Sequence, residues 1–165
     1  MKIIILLFIL MPSISVAGSM NAMGEKGDLA EVVKVIKVKM YDNYYEPSEF
    51  KIKKNQTVKF IVYNYGELVH EFNIASTEMH LKHQPEMMKM VENEILLGDR
   101  IDKKKMKELS KKDNSMSHSH TNSVLLEPNE SAEIIWKFNT EAKLEAACNV
   151  PGHYEAGMIA KINNI

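Results

Sequence analysis

The chain has 165 residues, with 21 Lys and Arg against 22 Asp and Glu and a formal charge of −1. That balance gives no whole-chain basic field and argues against nucleic acid as a partner. Apolar residues make up 45% of the chain, enough for the core of one ordinary domain, and the seven glycines form no phosphate-binding loop.

Lys2, the apolar run over residues 3–10 and Ser15-Val16-Ala17 have the form of a secretory signal peptide. The run is too short to span a bilayer and no second one follows. Residues 1–17 are therefore expected to be cleaved, giving a periplasmic protein with no stable membrane anchor. Losing Lys2 moves the charge from −1 to −2. Residues 18–31 read as a flexible leader, and residues 32–165 as the domain.

From Val33 to Met40 apolar residues and lysines alternate, which predicts a strand. Tyr44-Tyr45-Glu46-Pro47-Ser48 interrupts it, and Phe50 and Ile52 mark a short strand. Residues 57–63 are rich in β-branched and aromatic types, and residues 68–74 resume extended structure with His70 near the start. Further strands are predicted over residues 124–126, 131–138, 144–148 and 158–162. Short strands spaced by turn signals indicate an all-β sandwich or barrel. Residues 75–123 contain no convincing strand and are too long for a loop. They read as a mainly helical insertion, with helices predicted over residues 85–97 and 102–112 and disorder over residues 115–123.

Cys148, His153 and Met158 each follow the previous one by five positions, and Cys148 is the only cysteine. An unpaired thiol in an oxidising compartment is buried, reactive, intermolecularly paired or bound to metal. Thiolate and thioether favour Cu(I), and imidazole suits both copper oxidation states. His70, beside apolar Val69 and Phe72, is the best fourth donor. Taken singly, each residue has an ordinary packing role. A thiol nucleophile paired with a histidine is the other reading of Cys148, but it gives Met158 no role and no oxyanion-binding motif accompanies it.

This pattern resembles the cupredoxin family, the blue copper proteins like plastocyanin and azurin. The resemblance covers residues 33–74 and 124–165 and is carried by His70, by the 148–158 loop, and by Tyr45-Glu46-Pro47, Lys54-Asn55-Gln56-Thr57-Val58-Lys59-Phe60, His70-Glu71-Phe72 and Pro128-Asn129-Glu130-Ser131-Ala132. It implies a Greek-key β-sandwich holding one type-1 copper per chain. His70, Cys148 and His153 would lie in a plane and Met158 would be a weak axial ligand. The implied role is one-electron transfer with a redox partner protein, not catalysis. Enzymes of this fold need several paired-histidine motifs, of which His118-Ser119-His120 is one.

The insertion concentrates soft donors. It holds six of the twelve methionines and four of the six histidines. Met79, His83 and Met87 are spaced i, i+4, i+8 and, with His80, suggest a weaker second copper site on one helix face. The same stripe is what core packing looks like. These features resemble the periplasmic copper-tolerance cupredoxins, so copper handling with copper-handling partners is the alternative to electron transfer.

Overall fold

The computed structural model describes residues 23–165. The expected signal peptide, residues 1–17, and residues 18–22 of the leader lie outside them. Twelve strands are present among the described residues: β1 (Glu25–Lys26), β2 (Val32–Tyr41), β3 (Tyr44–Glu46), β4 (Glu49–Ile52), β5 (Thr57–Asn64), β6 (His70–Ala75), β7 (Leu96–Leu97), β8 (Arg100–Ile101), β9 (Ser123–Leu126), β10 (Ser131–Lys137), β11 (Glu145–Ala147) and β12 (Ile159–Asn164). Ten of them form two five-stranded sheets, ordered β1-β10-β5-β2-β3 and β4-β12-β11-β6-β9. The all-β, cupredoxin-like expectation for the fold is met.

Alternation builds the sandwich. In β5, Val58, Phe60 and Val62 are fully buried, and in β2 the inward positions are Val38 and Met40. Phe60 and Phe72 face each other across the sheets with ring centroids 5.4 Å apart, and Phe50 and Phe138 pack edge-on against Phe60. Burying each such side chain contributes about 1.5–3 kcal/mol.

In β6 all six residues are buried. Phe72 and Ile74 join the main core, whereas Glu71 and Asn73 face the other way, under the insertion, where they meet Asn149, Asn122 and side chains of the insertion. The insertion has its own small core of Val69, Met87, Met90, Ile95, Leu96, Ile101 and Met116.

Several local expectations are corrected. The first insertion helix is α1 (Thr77–Glu92), capped by Ser76, and Pro85 lies inside it. The carbonyl deprived of a donor by Pro85 belongs to Leu81, which is exposed, so the break faces water. The second, α2 (Lys103–Leu109), is shorter than expected and capped by Asp102. β7 and β8 form a hairpin around Gly98-Asp99 where no strand was expected. Residues 114–117 form a 3-10 turn that buries Met116, and Ser123 starts β9, so the stretch expected to be disordered is anchored at both ends, with Ser119, His120 and Thr121 exposed between them. Tyr44–Glu46 pairs with β2 through an Asp42-Asn43 turn in which Asn43 has φ 72°, a conformation asparagine tolerates. The leader also pairs: β1 runs antiparallel to β10, and Trp136 Nε1 donates to the Met23 carbonyl.

Candidate metal centre

His70 opens β6, and Cys148 follows directly after β11, the strand paired with β6. Sheet pairing therefore brings together residues that are 78 positions apart. After Cys148 the chain makes successive turns: the His153 N–H bonds the Val150 carbonyl, and the Ala156 N–H bonds the Gly152 carbonyl. Gly152 has φ +88°, a conformation that favours glycine, and it follows Pro151, so the loop turns the His153 ring back toward Cys148.

His70, Cys148 and His153 present donor atoms all within 4.8 Å of one another. His70 Nδ1 lies 3.2 Å from His153 Nδ1 and 3.9 Å from Cys148 Sγ, and Cys148 Sγ lies 3.3 Å from His153 Nδ1. Met158 is fully buried in the core cluster that includes Cys148. Its N–H bonds the His153 carbonyl, and its own carbonyl accepts from the Cys148 N–H. His70, Cys148 and His153 thus converge, and Met158 is tied to Cys148 and His153 through the backbone of the same loop.

The other ring nitrogen of His70 has a partner the sequence did not reveal. His70 Nε2 donates to Asp42 Oδ1 at 2.8 Å, which leaves Nδ1 with its lone pair toward Cys148. Asp42 sits in the β2–β3 turn and also accepts the Glu67 and Leu68 N–H groups. Gly66 fits against this pair: a Cβ there would lie 2.8 Å from His70 Nε2 and closer still to Asp42 Oδ1. Partial burial pushes the Asp42 carboxyl up, but the bonds from His70, Glu67 and Leu68 outweigh it and hold it below its ordinary value.

Burial governs the donors themselves. It lowers His70, against the pull of Asp42, and lowers His153, where His70 adds to the effect, so both rings are kept neutral. Burial pushes the Cys148 thiol up to about 12, and the N–H groups of Glu71 and Val150 offset only part of that. Two neutral imidazoles and a sulfur that ionises only with a strong cation nearby are a donor set suited to a thiophilic, imidazole-binding metal.

Glu71, the residue after His70, joins the site to the insertion. Its N–H donates to Cys148 Sγ at 3.3 Å. Its carboxylate is fully buried. Oε1 accepts from Asn73, Ser123, His83 and His118, and Oε2 accepts from the Asn149 N–H and side chain. The sequence signal for this role was a charged residue inside an otherwise uncharged stretch of strand.

The expected second grouping is rearranged. Met79 and His83 share one cavity. His80 turns inward to Asn149 and packs at a tilt against the Tyr154 ring, and Met87 is buried in the insertion core. His118 and His120, which the sequence put in a disordered stretch and outside the expected second grouping, lie beside His83.

Comparison with known proteins agrees with this architecture. A cupredoxin-like domain family matches residues 3–99, a stretch that includes His70 and ends before the Cys148 loop. The copper-resistant cuproprotein CopI of Pseudomonas aeruginosa is 35% identical over 148 residues, covering 86% of this chain and 82% of that protein. Its namesake from Rubrivivax gelatinosus is 29% identical over 140 residues, covering 84% and 71%. Reduced auracyanin from Roseiflexus castenholzii superposes with a TM-score of 0.56 at 16% identity, over 80% of this chain and 96% of that one, a likeness of fold.

Proposed function

The chain belongs to the cupredoxin-like family, and on that premise we propose that it is a copper protein in which His70, Cys148, His153 and Met158 hold one type-1 copper ion. The observation that carries this reading is the convergence of a lone buried thiol with two neutral imidazole nitrogens, all within 4.8 Å. Bound there, copper would supply a reversible one-electron couple. The chain's own part is to hold the donors in place. Asp42 fixes the His70 ring, the Glu71 N–H supports the sulfur, and the backbone bonds between Met158 and its loop partners keep the thioether in the core. A rigid donor set that serves both oxidation states lets an electron pass with little rearrangement.

The work of the site is then electron transfer with a redox protein, or copper handling under copper stress. The second role is favoured by relatives named as copper-resistant and by the histidines gathered under the insertion. Neither role requires a catalytic residue. The N-terminal signature of residues 1–17 supports a periplasmic location, and no helix among the described residues is long and apolar enough to cross a membrane.

The visible spectrum of copper-loaded protein tests this reading. An intense thiolate-to-copper charge-transfer band is expected, blue or green, and Cys148→Ser should abolish it. A colourless copper-loaded protein, or colour that survives the substitution, refutes the assignment.

A further inference from the structure

Away from the Cys148 loop, one other group of side chains among the described residues has the geometry of a metal site. His83 on α1 and His118 and His120 beyond the 3-10 turn place ligating atoms within 4.8 Å of one another. Their ring centroids form a nearly equilateral triangle with sides of 5.5, 5.1 and 5.2 Å. His118 adopts φ 46°, a left-handed conformation uncommon for a residue with a side chain, and this turns its ring inward until only 4% of the side chain is exposed.

We propose that His83, His118 and His120 form a second copper site, separate from the Cys148 centre, with the Met79 thioether in the adjoining cavity. One carboxylate backs two of the rings. Glu71 Oε1 accepts from His118 Nε2 at 2.8 Å and lies 3.1 Å from His83 Nε2, which leaves Nδ1 of each ring for metal, and Glu86, 3.0 Å from His83 Nδ1 and 3.5 Å from His120 Nε2, lies on the ligating side. Carboxylate-backed imidazoles are how proteins orient and strengthen metal-ligating histidines. The site is also reachable. A cavity of about 140 Å³ opens beside it, lined by Met23, Met79, His83 and His120.

Charge points the same way. The buried Glu71 carboxylate and the partly buried Glu86 put negative charge beside this triad, which favours a bound cation. Imidazoles with thioethers nearby select copper over harder ions, and the set serves Cu(I) and Cu(II). The choice of copper rests on the functional reading above, whereas the triad stands on its own geometry. Glu71 touches both sites, through its N–H to Cys148 and its carboxylate to the triad.

The test is a copper titration of the chain, read by metal analysis after gel filtration and by electron paramagnetic resonance. Two copper ions per chain are expected. The second should give a nitrogen-rich Cu(II) signal with no thiolate band. His120→Ala, at a side chain 36% exposed and so sparing the fold, should weaken the second ion at least about tenfold, the loss seen even when an outer partner of a ligand is removed, and leave the visible band unchanged. Cys148→Ser should remove the band and keep the second ion, so failure at one site is told apart from failure at the other. A wild-type stoichiometry of one would overturn the proposal. So would a second ion indifferent to both His120→Ala and His83→Ala, or a triad that prefers zinc in direct competition.

Discussion

Replacing Glu71 by Gln removes one charge and little volume, yet it should be among the most damaging single changes in this protein. The Glu71 carboxylate is fully buried and accepts from six donors, four at Oε1 and two at Oε2. A Gln amide has one oxygen, so whichever way it turns, its NH₂ faces at least two donors. Hydrogen bonds to a charged group contribute about 1.5–3 kcal/mol each, and breaking a buried charge network by removing one partner costs about 3–5 kcal/mol. For a domain of this size that corresponds to a fall in Tm of roughly 8–20 °C.

The pH profile carries the signature. Burial raises the Glu71 carboxyl, but His118 and His83 outweigh it and hold it well below its ordinary 4.5, so its contribution is present above 4.5 and is lost as pH falls through the folded value. His83 is raised above its ordinary 6.5, so its contribution is complete below 6.5 and is lost as pH rises through the folded value. The pair therefore stabilises most between about 4.5 and 6.5, and Glu71→Gln should flatten that maximum. Urea or thermal unfolding of metal-free protein across pH measures both effects. A loss below about 1 kcal/mol, or an unchanged pH profile, would refute the network as described.

Three further outcomes follow from the site. Asp42→Asn keeps an acceptor for His70 Nε2 but removes the charge. Because the Asp42 side chain is 39% exposed, screening limits the effect to about 0.5–1 kcal/mol, so the copper potential should rise by a few tens of millivolts in voltammetry; a fall would contradict the pairing. Met158→Leu should keep copper bound and raise the potential, and Met158→Gln should lower it; unchanged potentials in both would remove Met158 as the axial donor. Copper uptake near pH 7.5 should release about one proton per ion at the Cys148 centre, because the thiol is protonated up to about 12 and both imidazoles are held neutral. Release of none, in an indicator-dye titration with His120→Ala to silence the second site, would mean that the thiolate does not bind.

The sandwich was legible because its strands alternate cleanly, as in Val58, Phe60 and Val62. The 148–158 loop was legible because its donors lie on one short segment whose spacing survives folding. Asp42 was not: it reaches His70 across 28 positions through a hairpin turn that local pattern did not show. The Met79–Met87 stripe misled because a helix turns about 100° per residue, so a residue eight positions on has rotated by about 80°. Met79 and His83 stay together while Met87 is carried into the insertion core. His118 and His120 fall in a stretch that reads as disordered because its serine-rich surroundings carry no periodicity; the left-handed turn at His118 is a tertiary feature.

The most direct measurement is X-ray absorption at the copper edge on protein loaded with one copper equivalent. One short copper–sulfur bond accompanied by two imidazole nitrogens, lost on Cys148→Ser, is the predicted result. A coordination shell of nitrogen and oxygen alone, with Cys148 still a free thiol, would contradict the account.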